Sequence, residues 1–464
     1  MVESAFAAYF WGFLFLYGGL MYAMTPRTHT VGGFFRGTDA SGRPATEWAL
    51  TCSIFISWIF AKSVTNAANL GAAYGVVGGL AYATYWLSIP IAGFVIYRLR
   101  TRHGATGLVP FLIARYGRAA AIAFTLAILI RLYNEVWSNT AVVGAYYGKP
   151  GTGTFIAAAL LFTAASLFYS LKGGLRSSIV TDVIQSVLFV LVMAVVLVLV
   201  LPQHGVPKLV SFGEFHLNTG VDLVLVALLQ VLSYPFHDPV LTDRGFITEE
   251  KHMLRAFIFA GIAGFICIFA FSLVGVHAKL EGLPAGDNMP GEVARAFGVV
   301  PYMMMTLIMI LAAGSTLDST FAAVAKSIGY EVPLLAGRAA GNNAIKIGMW
   351  TMIAFALLGN LPMLAGTDIL KATTVSGTMV MGLAPIFILA PLTRYSPWSF
   401  HLAFWPGVAL GVLLATNLIP QAWAIGSGKY ALLLGTNLYG LAICCAGFLL
   451  PLLWQRARRR YNWR

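Results

Sequence analysis

Long apolar runs separated by short polar breaks fill almost the whole chain. Each run is long enough to cross an apolar layer of about 30 Å, which takes roughly 20 residues of helix. Read between the breaks, the pattern predicts thirteen helices, at 4–24, 47–75, 77–100, 118–147, 153–171, 175–201, 220–247, 254–277, 302–328, 341–363, 368–392, 398–419 and 433–455. The first run follows the acidic Glu3 and lacks a small-residue cleavage site, so it reads as a retained leading helix, not a signal peptide. The next ten runs are numbered core helices 1 to 10. The chain is thus expected to be one all-α membrane domain over 1–464, with two five-helix sets at 47–201 and 220–392, two extra helices over 398–455 and a basic tail at 456–464.

Composition sharpens this picture. Of 464 residues, 59% are hydrophobic and only 10% charged, against about 25% charged in an ordinary soluble domain. That balance rules out a soluble enzyme. The net charge of +13 would suggest nucleic acid in a soluble chain, but in a membrane chain the placement of Lys and Arg carries the meaning. With thirteen spans, 22 of the 30 basic residues fall on one side, 6 on the other, and Lys62 and Arg131 lie inside spans. The bias predicts a plasma (inner) membrane protein with its N-terminus outside and its C-terminus cytoplasmic, and no nucleic-acid partner. The four cysteines sit in apolar runs and support neither a disulfide framework nor a metal site.

The remaining information is in polar residues placed where lipid should be. A charge at mid-membrane costs at least about 2.5–3.5 kcal/mol, so those that persist face a cavity or a partner. Lys62, Arg131, Glu135, Asp182, Asp238 and Asp318 are therefore the coupling or structural charges to explain. Core helix 1 carries a polar stretch from Lys62 to Asn69, and core helix 6 reads Ser233 to Pro239 with two prolines that each remove a backbone donor. Two interrupted helices, each opening a five-helix set, are the pattern of an inverted-repeat transporter with its site at the midplane. Polar packing and plain proline kinks are the structural alternatives. Arg131 and Glu135, four residues apart, form either a structural salt bridge or part of a cavity wall.

Several motifs resemble the sodium:solute symporter family. Gly173, Gly174, Thr181, Asp182 and Gln185 resemble its GG-x(6)-TD-x-x-Q signature entering core helix 5. Ala312 to Ser319 resembles the A-x-x-S-[ST] segment of core helix 8, and Asp238, Pro239 and Arg244 stand where the family often has Gln-Pro-x-x-x-x-Arg. Leu70, Gly71, Ala73 and Tyr74 resemble the end of its core helix 1, and Phe111 to Gly117 its stretch ending in RYG. The resemblance implies a leucine-transporter-type fold of ten core helices in two inverted repeats, alternating access, and solute held between broken helices 1 and 6. It also implies a Na⁺ site formed by the carbonyls of Trp58, Ala61 and Ala312 and the hydroxyls of Ser315 and Thr316.

Lys62 departs from the family pattern, because an ammonium beside Ala61 would repel Na⁺. It is read in three ways: occupying the cation site and making transport Na⁺-independent or H⁺-coupled, facing an anionic solute, or being neutralised by Asp182 or Glu135. Lys62, Ser63, Thr65, Asn66, Gln230, Tyr234, His237, Asn134 and Glu135 are the expected solute-lining residues, with Thr373, Thr374 and Ser376 closing the cavity. His237 is either a proton carrier or a donor to a carbonyl freed at the helix break. The expected partners are the lipid bilayer and a small polar solute, with a slight lean toward an organic anion or zwitterion. A monomer should suffice, without a cofactor or a transition metal, coupled to Na⁺ or H⁺. A solute sensor on a transporter fold is the alternative, and a membrane enzyme is disfavoured because no HExxH or GxSxG motif appears.

Overall fold

The computed structural model describes residues 2–284, 286–365, 376–392 and 396–461, and every regular element among them is helical. The helices that matter here are α1 Val2–Met24, α2 Glu47–Trp58, α3 Ala61–Tyr74, α4 Val76–His103, α5 Arg118–Tyr147, α6 Gly153–Gly173, α7 Leu175–Val200, α8 Asp222–Gln230, α9 Glu250–Leu280, α10 Val299–Lys326, α11 Ala344–Leu358, α12 Pro397–Ala415 and α13 Ala431–Tyr461. Among the described residues nine helices are long and apolar enough to cross a membrane, and α2 with α3 makes a tenth, bent by 59°. Shorter apolar stretches lie at Ala8–Met24 and Leu217–Gln230. The first part of the expected core helix 10, with Thr373 and Thr374, lies outside the described residues.

Both expected interruptions are present, each with a local cause. Between α2 and α3, Phe60 is extended (φ −64°, ψ 143°), and the chain restarts at Ala61 in a new direction. After α8 the segment 220–247 runs as a tight turn at Tyr234–His237 and a short helix at Pro239–Thr242, separated by extended Asp238. Pro235 and Pro239 cannot donate to a helical ladder, and the Asp238 carboxylate caps the restart by accepting from Val240 N at 3.1 Å.

Glycines set the tightest joints. Gly174 has φ +55° between α6 and α7, and a Cβ there would meet the carbonyl of Phe34, which explains the second glycine of the signature. Where α3 crosses α9, Gly71 leaves room for the Ser272 carbonyl and Gly275 for the Ala68 carbonyl. Small residues at such a crossing let two backbones touch, the main source of helix association in lipid. The outer surface is apolar: on α7, Val187, Leu191, Val195 and Val198 are 46–71% exposed, at helical spacing. Such a stripe would be a liability in water and suits a membrane setting.

Candidate functional site

The two broken helices meet α5, α7 and α10 around two buried clusters of charge. In the first, Lys62 Nζ donates to Glu135 Oε1 at 2.6 Å and to Ser138 Oγ at 3.0 Å. Arg131 pairs with the same carboxylate and, through Nη2, with Asp238 Oδ2 at 3.0 Å. Asn139 Nδ2 donates to Glu135 Oε2 at 2.9 Å, while its Oδ1 accepts from the backbone N–H of Ala61, freed by the break. Trp58 Nε1 donates to Asp238 Oδ2 at 3.1 Å. Lys62 and Arg131 both lie over the Phe60 ring, at 5.1 and 5.4 Å. None of the four charged groups is more than 1% exposed, and two cations face two anions. Of the three readings of Lys62, the structure has the one in which Glu135 neutralises it; Asp182 is engaged elsewhere.

The second cluster lies between α2, α7 and α10. Asp182 Oδ2 accepts from Ser53 Oγ at 2.5 Å and from Arg244 Nη2 at 2.9 Å, and its other oxygen accepts from Ser315. Arg244 also donates to Ser53 at 2.7 Å and to Ser319 at 2.8 Å. Asp318 accepts from Thr181 Oγ1 at 2.9 Å and from Ser319 Oγ at 3.3 Å. Beside them Gln185 and Tyr17 pair at 2.7 Å, and Tyr17 meets the Tyr169 hydroxyl at 3.0 Å. The signature residues Thr181, Asp182 and Gln185 thus each tie α7 to another helix. The one guanidinium, Arg244, pairs with Asp182, and among the described residues Asp318 has no ion-pair partner, so with every group ionised the cluster sums to one negative charge.

At the expected cation position, Thr316 Oγ1 lies 3.3 Å from the Ser57 carbonyl on α2 and 3.1 Å from the Ala312 carbonyl on its own helix. The Ser315 hydroxyl turns to Asp182, and the Ala61 carbonyl accepts from Thr65 Oγ1 at 3.2 Å.

A small cavity of about 20 Å³ sits against the first cluster, lined by Trp58, Phe60, Lys62, Ser63, Tyr82, Tyr85, Trp86 and Tyr234. That is room for about one water. Of the expected solute-lining residues, Lys62, Ser63 and Tyr234 line it. Asn66 stands behind, donating to Tyr82 OH at 3.2 Å, and Ser63 meets the same hydroxyl at 3.3 Å. Gln230 lies outside the lining, accepting from Tyr85 OH at 2.8 Å and donating to Asn437 Oδ1 on α13 at 3.1 Å. His237 lies outside it too: Nδ1 faces the Tyr234 carbonyl at 2.6 Å, the bond expected of a donor at the break, with Ser376 Oγ 3.3 Å from Nε2. Glu135, Asn134 and Thr65 are also outside the lining; Asn134 is half-buried, with its carbonyl accepting from Ser138 at 2.7 Å. The aromatic walls Phe60, Tyr82, Tyr85 and Trp86 were not among the expected residues, because aromatics inside apolar runs look like ordinary packing.

A second cleft, of about 890 Å³, opens on the face carrying Arg36, Arg100 and Arg338. Among its charges, Lys326 pairs with Asp243 at 2.5 Å and Glu331 at 3.5 Å, and Arg100 with Glu250 at 2.9 Å.

No family model matches the chain. A Na⁺-coupled sialic acid symporter, solved in a substrate-bound outward-open state, superposes with a TM-score of 0.73 at 16% identity, over 97% of this chain and 98% of that one. Mhp1, a nucleobase-cation-symport-1 family transporter, gives 0.57 at 14% identity over 90% and 95%, and MhsT in complex with L-phenylalanine gives 0.52 at 13% over 91% and 99%. These likenesses establish the leucine-transporter-type fold. In sequence, sodium/glucose cotransporter 1 of Ovis aries is 26% identical over 176 residues, 37% of this chain and 26% of the relative. Solute carrier family 5 member 4A of Mus musculus is 26% identical over 227 residues, 46% of this chain and 34% of the relative. In sequence and in fold the chain is similar to sodium:solute symporters. The match spans only about a quarter to a third of the length of those curated proteins. The chain is a multi-pass membrane protein of ten-core-helix type, and its two clusters and cavity lie where helices 1 and 6 of that fold are broken.

Proposed function

We propose that the protein is a secondary active transporter that takes up a small polar organic solute by alternating access, driven by a cation. The carrying observation is the second cluster: Asp182 and Asp318 are both wholly buried, and the one guanidinium there, Arg244, pairs with Asp182. An uncompensated buried charge is strongly disfavoured, so this cluster favours taking up one positive charge. We take Na⁺ as the coupling ion, held by the carbonyls of Trp58, Ala61 and Ala312 with the hydroxyls of Ser315 and Thr316; the names of the relatives and of the sialic acid symporter support it. A proton on the Asp182–Asp318 pair is the second reading, favoured by the dense hydrogen bonding of that pair.

The first cluster supports a solute of no net charge, neutral or zwitterionic, because Lys62 and Arg131 are already compensated by Glu135 and Asp238. Within the expected organic anion or zwitterion, this favours the zwitterion. The aromatic walls supply faces for stacking, and the Tyr82 and Tyr85 hydroxyls supply hydrogen bonds. The small cavity and the wide cleft on one face suit a state open to that face, which the basic bias assigns to the cytoplasm, with the N-terminus outside. The sets 47–201 and 220–392 are read as the two repeats. The sensor alternative is not favoured by these relatives. Uptake into proteoliposomes tests the proposal: accumulation of a solute under an inward Na⁺ gradient and not under K⁺ is expected. Uptake driven equally by a pH gradient without Na⁺ would move the coupling to the carboxylate pair, and no accumulation under any gradient would reject transport.

A further inference from the structure

Outside the two central clusters, one group of side chains has ligand chemistry that nothing above uses. His204 stands in the turn after α7, His277 in the last turn of α9, and Glu281 caps that helix. One ligand atom from each lies within 4.8 Å of the others. His204 Nε2 is 2.8 Å from Glu281 Oε1, yet makes no hydrogen bond. His277 is only 3% exposed, its ring packs against Phe297 at 5.5 Å, and its Nδ1 has no partner either. A buried imidazole nitrogen without a partner is rare and calls for an explanation. The two imidazole rings are 5.2 Å apart, and they gather at the C-terminal end of α9, where the helix dipole is negative and favours a cation.

We propose that His204, His277 and Glu281 form a site for one divalent transition metal of the Zn²⁺ type. Two neutral imidazoles and a carboxylate are a ligand set that Zn²⁺ takes, with water completing the tetrahedron. Metal–ligand bonds of about 2.0–2.2 Å put neighbouring ligands roughly 3.4 Å apart, so the three groups must close in by side-chain rotation. Glu281 is 48% exposed and His204 lies in a turn, so both are free to do this around the fixed His277. Nitrogen ligands select against Mg²⁺ and Ca²⁺, which prefer oxygen. The bound metal would fasten the end of α7 to the end of α9. The sequence reading expected no transition metal because these residues come from separate runs and form no spaced motif.

The test is Zn²⁺ binding to the purified full chain in detergent, measured by competition with a chromogenic chelator and by the rise in melting temperature that a folded-state ligand causes. One Zn²⁺ per chain, unaffected by excess Mg²⁺, is expected. Substitution of a direct ligand in His204→Gln or Glu281→Gln should weaken binding by more than about 10-fold, the lower range seen for mere supporting groups, and should abolish the melting shift. Both variants alter accessible side chains and spare buried His277, so their melting temperatures without metal report whether they fold. Failure of the unmodified chain to retain Zn²⁺, or equal affinity in it and both variants, would overturn the site.

Discussion

The two charge clusters are built from the same kinds of residues and differ by one charge. Around Lys62, Arg131, Glu135 and Asp238 every ion has an opposite partner and the sum is zero. Around Asp182, Asp318 and Arg244 one carboxylate is held only by hydroxyls. The first arrangement is closed electrostatically and fixes the geometry of both helix breaks to α5. The second, with every group ionised, is open by one unit and is where the proposed coupling cation would change the energy of the fold. For the proposed cation coupling, the incomplete cluster is the informative one.

The largest effect is expected from breaking the closed cluster. Glu135→Gln leaves Lys62 and Arg131 with Asp238 alone, and removing one partner of a buried pair costs about 3–5 kcal/mol. A large drop in melting temperature and loss of uptake should follow, and the double variant Lys62→Met with Glu135→Gln should recover part of the stability. A double variant no more stable than Glu135→Gln would show that the two charges do not compensate each other. Next, Asp318→Asn removes the unpaired charge while keeping a side chain of the same shape. Folding stability should stay within about 1 kcal/mol of the unmodified chain, since a hydrogen-bonded amide replaces an unpaired carboxylate, whereas cation dependence of uptake should fall roughly tenfold. Unchanged cation dependence would remove Asp318 from coupling.

A smaller effect is expected from Thr316→Ala, which removes one oxygen facing the Ser57 carbonyl. It should cost about 1 kcal/mol of cation affinity, a fivefold rise in the Na⁺ concentration for half-maximal uptake, and an unaltered Na⁺ requirement would refute that cation position. The smallest is Tyr82→Phe, which takes a hydroxyl from Ser63 and Asn66 at the cavity wall. A few-fold rise in KM with little change in melting temperature is expected; a large melting shift would mean that Tyr82 acts in packing.

Helix positions were legible because apolar length and proline chemistry are local properties. Pro235, Pro239 and the polar run after Lys62 announced both breaks, and Arg131 with Glu135 announced a pair by spacing alone. Which carboxylate Lys62 meets was not legible, since Glu135 and Asp182 are both remote along the chain and only packing chooses between them. The Arg131–Asp238 pair was hidden for the same reason. Gln230 and His237 were expected to line the cavity by helix position, but Gln230, the last residue of α8, meets Tyr85 and Asn437, and His237, in the irregular turn that follows, meets the Tyr234 carbonyl.

The glycine seam between α3 and α9 has a mechanical consequence. With Gly71 against Ser272 and Gly275 against Ala68, backbone touches backbone, and no side-chain layer is left to slip or repack. The half of the first broken helix beyond its 59° bend is thereby welded to α9 as a single stiff bar. The pivot for any rocking motion must then lie at Ile59 and Phe60, and spectroscopic distance labels on α3 and α9 should keep a constant separation while those on α2 and α9 change.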